Sequence, residues 1–169
     1  MHKTKTLFVS FVVICLSVMI TSSFVNKDAQ PGVGFYPGST FPDISILGEN
    51  SQLITNDSLR GDYLLIQFWA AYDADSRMKN VQLCNSLSRP DSKIKFLSVS
   101  MDPYNEISRE TIRLDRIPES NVFFPDSKQR EKLLSERALK GKLSNFLVDP
   151  NGVIIAKNIT AKELAQMKM

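Results

Sequence analysis

A nearly continuous apolar run at residues 63–69 (Tyr-Leu-Leu-Ile-Gln-Phe-Trp) constrains the fold more than any other feature of this chain. Its length and bulky side chains predict a central strand buried on both faces. A second run of this kind occupies residues 94–100, and residues 73–87 between them predict a helix. Because two strands joined by a helix run parallel, the sequence predicts a sheet with a parallel centre. The predicted buried face of the helix carries residues spaced three apart: Val81, Cys84 and Leu87.

The rest of the chain supplies further helices and two hairpins. The strongest turn signal is Asp149-Pro150-Asn151-Gly152, which predicts an antiparallel return. The fold class predicted is α/β, a mixed central sheet flanked by helices, with an N-terminal β-hairpin extension. Capping residues, turn formers and periodicity predict these elements: a hairpin of residues 44–46 and 53–55, a helix from an Asn105 cap to Leu114, a helix from an Asp126 or Ser127 cap to Lys140 ended by Gly141, a hairpin of residues 146–148 and 153–156, and a helix over residues 160–167.

The N-terminus has the pattern of a targeting segment. Lys3 and Lys5 precede an apolar stretch over residues 7–20, and small residues follow at 21–23. This pattern predicts a signal peptide in residues 1–23. Since the lysines lie before the apolar stretch, the rest of the chain should be translocated, which predicts a protein of the periplasm or the outer face of a membrane.

Two alternatives would attach the protein to the membrane. Residues 7–25 are nearly long enough to span a bilayer, so an uncleaved signal anchor would hold the protein at the membrane. A lipoprotein modified at Cys15 is a third reading, disfavoured because the apolar run continues beyond that residue. In each case residues 24–40 form a linker or lead-in, and residues 41–169 form the folded domain.

Composition excludes several classes of function. The chain has 21 Lys and Arg against 18 Asp and Glu, and two of the lysines lie in residues 1–23, which leaves a net charge of about +1 beyond them. This charge predicts no nucleic-acid binding. The only histidine is His2, so a histidine-built metal site or a His-activated nucleophile is excluded from the domain. We predict no metal and no cofactor. Cys84 is the one cysteine beyond Cys15, so the domain alone cannot form an internal disulfide.

Four separated motifs, in order along residues 36–169, resemble one family. Together they are similar to the exported thiol-disulfide oxidoreductases of the TlpA/ResA type, a branch of the thioredoxin-like superfamily related to the AhpC/TSA redoxins. In that branch a strand ending in Phe-Trp-Ala precedes a Cys-x-x-Cys motif and a basic residue. The motifs are Pro42-Asp43, residues 65–77 with Phe68-Trp69-Ala70, residues 96–102 ending in Asp102, and residues 141–149 followed by Pro-Asn-Gly.

The departures from the family pattern bear on function. The resemblance places the two redox cysteines at Asp73 and Ser76, and the family's cis-proline at Leu143. A cis bond before a residue other than proline costs about 3 kcal/mol, so we expect a trans Lys142–Leu143 bond. In the family, the first cysteine sits at a helix N-terminus, which stabilises its thiolate. A carboxylate suits the same position as an N-cap, but neither it nor a hydroxyl can form a disulfide.

Each candidate residue has a structural and a functional interpretation. One interpretation is a helix cap with acids in the first turn, and the other is a cation or polar-ligand site; both concern Asp73, Asp75 and Ser76. Cys84 reads as a packed thiol or as a reactive one. The two aromatic residues Trp69 and Tyr72 either have a structural role or, together with Asp75, line a peptide-binding groove.

The leading hypothesis is a redox-inactive thioredoxin-like protein that acts as a binding or accessory module. Its partner would be a protein or peptide of the cell envelope, with membrane anchoring through residues 7–25 in the anchored alternative. The alternative hypothesis is an enzyme, a thiol-disulfide oxidoreductase or peroxide-linked redox protein that uses Cys84 or a partner's cysteines. A ligand or ion site at Asp73 and Asp75 is the third reading.

Overall fold

The strand predicted from the apolar run lies in the interior of a mixed sheet. The computed structural model describes residues 31–44, 46–48, 53–54, 60–88, 92–136 and 139–167. The predicted targeting segment lies outside these ranges. Within them, no helix is both long and apolar enough to cross a membrane.

The described residues form seven strands and four α-helices. The sheet has the order β2-β1-β5-β4-β3-β6-β7, with β3 parallel to β4, β4 parallel to β5, and the other neighbours antiparallel. The elements are β1 Ile46–Gly48, β2 Leu53–Ile54, β3 Tyr63–Trp69, α1 Ala74–Leu87, β4 Ile94–Ser100, α2 Asn105–Asp115, a 3-10 turn Glu119–Asn121, β5 Val122–Phe124, α3 Ser127–Ser135, β6 Asn145–Val148, β7 Ile154–Lys157 and α4 Ala161–Gln166.

The main sequence predictions of the fold are confirmed. Strands β3 and β4 pair in parallel over their full length, β6 and β7 form an antiparallel hairpin, and β1 and β2 form the N-terminal one. The predicted turn between β6 and β7 is held by Asp149, whose Oδ1 accepts the backbone N–H groups of Asn151 and Val153, each at 2.9 Å. Gly152 adopts a φ of +85° there, a conformation that strongly favours glycine.

Two local predictions are wrong, and one strand was not predicted. Helix α2 has Tyr104 as its N-cap, without a side-chain hydrogen bond, and Asn105 is its first residue. Helix α3 ends at Ser135 because Glu136 turns to an extended conformation, and the N–H groups of Leu139 and Lys140 then bond the Glu136 carbonyl in a separate turn. Strand β5 was not predicted, since three apolar residues are too short a run to distinguish a strand by its period.

Both faces of the central strand are buried, as its uniform apolarity predicts. Ile66 and Phe68 face one core cluster, and Leu65 and Trp69 face the other. The first cluster includes Phe146, whose ring lies 5.4–6.1 Å from three other phenylalanine rings: Phe35, Phe41 and Phe68. The second cluster lies beneath α1, α2 and α4, whose contributions are Leu83, Cys84, Ile112 and Leu164. Helix α1 therefore begins at the end of a strand that is fixed from both sides.

Candidate functional site

Helix α1 follows β3 after a short loop, residues 70–73, and its first turn is capped by residues that the sequence singled out. Asp73 is the N-cap, and its Oδ1 accepts the backbone N–H of Ser76 at 3.3 Å. The Ser76 hydroxyl donates to the Asp73 carbonyl at 3.1 Å and accepts the Ala70 N–H at 3.3 Å. Ser76 is 1% exposed, whereas Asp75 is exposed in the first turn. The predicted cap is confirmed, and Ser76 ties the helix to the end of the strand.

A buried carboxylate holds the loop between β3 and α1. Asp102, 2% exposed, accepts the Ala71 N–H with both oxygens, at 2.9 and 3.0 Å. It also accepts the Ser108 hydroxyl at 2.8 Å and the Ser100 hydroxyl at 3.3 Å, and the two hydroxyl oxygens lie 2.6 Å apart. The sequence marked Asp102 only as the end of a motif. Its position after a buried strand was the available signal, because the carboxyl ends of β3 and β4 share one edge of the sheet.

Tyr72 projects from this loop beside two carboxylates. Its side chain is 70% exposed. Burial of part of the group raises the pKa of the Tyr72 phenol, the negative charges of Asp102 and Asp73 raise it further, and Arg130 opposes them. The phenol is therefore a neutral hydrogen-bond donor at neutral pH. At the same edge, Tyr104 is 65% exposed at the start of α2.

An ion pair fixes α1 against α2. The guanidinium of Arg77 binds the Asp115 carboxylate through two hydrogen bonds of 2.7 Å, Nε to Oδ2 and Nη2 to Oδ1. This bond raises the pKa of Arg77. Planar two-point pairing restricts orientation as well as distance, so the first turns of α1 are held by the loop at one end and by α2 at the side.

Comparison with known proteins places this geometry in a family. Neither protein-family models nor curated proteins give a match. Among solved structures, a thioredoxin-like protein from Parabacteroides distasonis is 36% identical, with a TM-score of 0.66 over 79% of this chain and 95% of that one. The chain belongs to the thioredoxin-like family. The resemblance predicted from the four motifs is thus confirmed.

Two other solved structures share the fold of this thioredoxin-like protein. The thioredoxin domain of a thiol-disulfide oxidoreductase from Bacteroides vulgatus is 23% identical, with a TM-score of 0.69 over 78% of this chain and 94% of that one. A thiol:disulfide interchange protein from a Bacteroides species is also 23% identical, with a TM-score of 0.66 over 80% and 86%. At this identity the likeness establishes the fold alone.

The one thiol of the thioredoxin-like domain lies away from the helix start. Cys84 follows Asp73 by eleven residues, which corresponds to about 16 Å along a helix. It is 3% exposed. Burial raises the pKa of the Cys84 thiol, and hydrogen bonds with Ser88 and Asn121 lower it only in part. Cys84 thus has the properties of a packed thiol, since reactive cysteines are exposed and have lowered pKa values.

Two other predicted positions are also buried. Trp69 is 0% exposed, so it cannot line a groove, and that part of the groove prediction is wrong. The last side chain of β3 points into the cluster beneath α1, which the strand pattern alone could not decide. Leu143 is 6% exposed and packs in the opposite cluster. Its peptide bond is trans, as expected, and the following Ser144 carbonyl accepts the Phe68 N–H at 3.1 Å.

The acidic side chains near the helix start are not grouped as the ligands of a metal ion would be. Among the described residues, no group of three or more His, Cys, Asp and Glu side chains is placed to hold an ion. Asp73 is engaged with the Ser76 N–H, and Asp102 with Ala71 and Ser108. Asp73 and Asp102 therefore fasten backbone, and Tyr72 and Asp75 lie exposed beside them.

Proposed function

We propose that this thioredoxin-like protein is a redox-inactive binding or accessory module that acts outside the cytoplasm. The observation that carries the proposal is the identity and geometry of residues 73 and 76. Oxygen-bearing side chains occupy both positions that the family resemblance assigns to cysteines, and Asp73 and Ser76 are joined through the helix cap. The residues serve the start of α1 instead of a disulfide.

The chemistry of disulfide exchange supports this reading. A thiolate attacks one sulfur of a substrate disulfide, and a second thiol displaces the first to release the reduced product. Neither a carboxylate nor a serine hydroxyl can take either role, because no reversible sulfur–sulfur bond can form. Cys84 offers one thiol only, buried and with a raised pKa. A domain of this kind retains the family scaffold without its two-electron couple.

The exposed surface at the same edge suits a protein or peptide partner. Tyr72 and Tyr104 are largely exposed, and Asp75 is exposed in the first turn of α1. Tyrosine is enriched among the residues that dominate binding energy, because it buries a large area with few rotatable bonds. The backbone of Tyr72 is held by the Asp102 bonds to the adjacent Ala71, so little ordering would be needed on binding.

The predicted export favours a partner in the cell envelope. The charged, apolar and small-residue pattern of residues 1–23 is that of a signal peptide, and residues 7–25 would serve as a membrane anchor if they are retained. We therefore place the protein in the periplasm or at the outer face of a membrane.

Affinity capture from the native envelope tests the proposal when it is combined with reductant and variants. A partner bound non-covalently should still be captured when dithiothreitol is present, and when the Cys84→Ser variant is used as the bait. Tyr72→Ser should reduce capture, whereas Tyr36→Ser, a change at a tyrosine that is 60% exposed on the segment bonded to β7, should not. A partner released by reductant and lost in Cys84→Ser would contradict the proposal and favour redox chemistry through Cys84.

A further inference from the structure

Three buried polar residues form a row across the centre of the sheet. Gln67 on β3 is the register partner of Ser98 on β4 and of Asn145 on β6. Partners in register point to the same face of a pleated sheet. All three are at most 1% exposed. A polar row in this position is unusual, because most residues before and after it along the same strands are apolar.

The row faces α1. Residues two positions away from it on β3 and β4, Leu65, Trp69 and Phe96, belong to the cluster that includes Leu83 and Cys84 of α1. Side chains alternate between faces along a strand, so the row shares the face of these residues. From α1, Asn80 points into the same layer, because it is 0% exposed and lies one helical turn before Leu83 and Cys84.

This layer contains polar atoms that the described residues do not satisfy. The Asn145 amide donates to Gln67 Oε1 at 3.1 Å and to the Ile159 carbonyl at 3.0 Å, which fixes the orientation of the amide because a carbonyl only accepts. Within the described ranges, the five buried side-chain atoms that have no hydrogen-bond partner are Trp69 Nε1, Asn80 Nδ2, Asn80 Oδ1, Ser98 Oγ and Asn145 Oδ1. The two Asn80 atoms belong to α1, and the other three lie on the face of the sheet that α1 covers.

The five atoms are complementary in chemistry and lie in the layer between α1 and the row. Trp69 Nε1 and Asn80 Nδ2 are donors, Asn80 Oδ1 and Asn145 Oδ1 are acceptors, and the Ser98 hydroxyl can be either. Neighbouring strands lie about 4.8 Å apart, so the Cα atoms of Ser98 and Asn145 are separated by about 10 Å across Gln67. Trp69 is two residues, or about 7 Å, along β3. Water is the ligand that such a set recognises, because it accepts and donates in the same small volume.

We propose that the interface between α1 and the central sheet binds ordered water, which bridges Asn80 to Ser98, Asn145 and Trp69. Buried polar atoms without partners are costly, and a water with three or four hydrogen bonds removes that cost. The bound water fastens the middle of α1 to three elements of the core. It acts in addition to the Ser76 and Arg77 contacts that hold the first turns of the helix.

Water–protein Overhauser spectra of the full chain test the proposal directly. The side-chain amide protons of Asn80 and the indole proton of Trp69 should show cross-peaks to long-lived water. Absence of these cross-peaks, with both signals assigned, would overturn the proposal. The exposed amide of Asn85, on the same helix as Asn80, serves as a control for short-lived surface water.

Unfolding of paired variants provides a second, independent readout. If water links the two residues, Asn80→Leu and Ser98→Ala should each lower the melting midpoint by about 5 °C, and the double variant should lose clearly less than the two effects added. Asn80→Leu with Ser108→Ala is the matched control, because Ser108 is equally buried but belongs to the Asp102 network, and these effects should add. A higher midpoint in Asn80→Leu, or simple additivity with Ser98→Ala, would contradict the water bridge.

Discussion

Replacement of Asp102 by alanine should destabilise the domain by about 3 kcal/mol. The buried carboxylate accepts one backbone N–H, from Ala71, and one short hydroxyl bond, from Ser108. Hydrogen bonds to a charged group contribute about 1.5–3 kcal/mol each, and the substitution removes both. Part of this loss is recovered, because the buried charge disappears and the two serine hydroxyls, 2.6 Å apart, retain each other as partners.

Urea unfolding followed by the fluorescence of Trp69 measures this loss. The chain contains one tryptophan, and its burial in the fold makes it a clean reporter. A loss of about 3 kcal/mol corresponds to a melting midpoint about 10 °C lower for a domain of this size. Asp102→Asn keeps the shape and one acceptor oxygen, so it should lose about half as much.

Asp126→Ala is the matched control for Asp102→Ala. Asp126 caps α3 by accepting the Gln129 N–H at 2.7 Å, and its bond is exposed. Loss of an exposed cap costs about 1 kcal/mol. If Asp102→Ala destabilises the protein no more than Asp126→Ala does, then the Asp102 carboxylate does not hold the loop between β3 and α1, and the reasoning is wrong.

Three further predictions concern α1, the free thiol and the last helix. Asp73→Ala should cost about 1 kcal/mol in urea unfolding, whereas Asp73→Asn should cost little; equal losses in both would argue against the cap. Cys84 should be alkylated at pH 8 at least about tenfold more slowly in the folded than in the urea-unfolded protein, as measured by peptide mapping; equal rates would contradict its burial. The Thr160 N–H bond lowers the pKa of Glu163, so this carboxylate stabilises the fold above its unfolded pKa of about 4.3, and the benefit is lost as the pH falls below that value. The stability difference from Glu163→Gln should therefore vanish in acid, and a difference unchanged from pH 7 to pH 3 would refute the assignment.

Local sequence signals predicted the centre of the fold and the start of α1. The apolar run at residues 63–69 identified β3, and Asp73 identified the N-cap, because both depend on neighbours within a few residues. Strand β5 was missed because Val122–Phe124 is too short to show a period. The end of α3 was misplaced because no strong stop signal marks Glu136, where the backbone leaves the helix.

The contacts that hold the candidate site in place were beyond sequence reasoning. Asp102 and Ala71 are 31 residues apart, Arg77 and Asp115 are 38 apart, and Gln67 and Asn145 are 78 apart. Such pairs depend on which strands lie side by side and on which face each side chain occupies. The family resemblance assigns the cysteine positions to Asp73 and Ser76, but only the folded chain shows that these two residues fasten a helix start.

Turnover of insulin disulfides with dithiothreitol tests the central claim most directly. The full chain should leave the rate equal to that of dithiothreitol alone, because residues 73 and 76 cannot exchange disulfides. Asp73→Cys with Ser76→Cys serves as the positive control and should accelerate the reaction, since cysteines at the start of α1 would restore the family's chemistry. Acceleration by the unaltered chain, with a covalent adduct mapped to one of its own cysteines, would contradict the account.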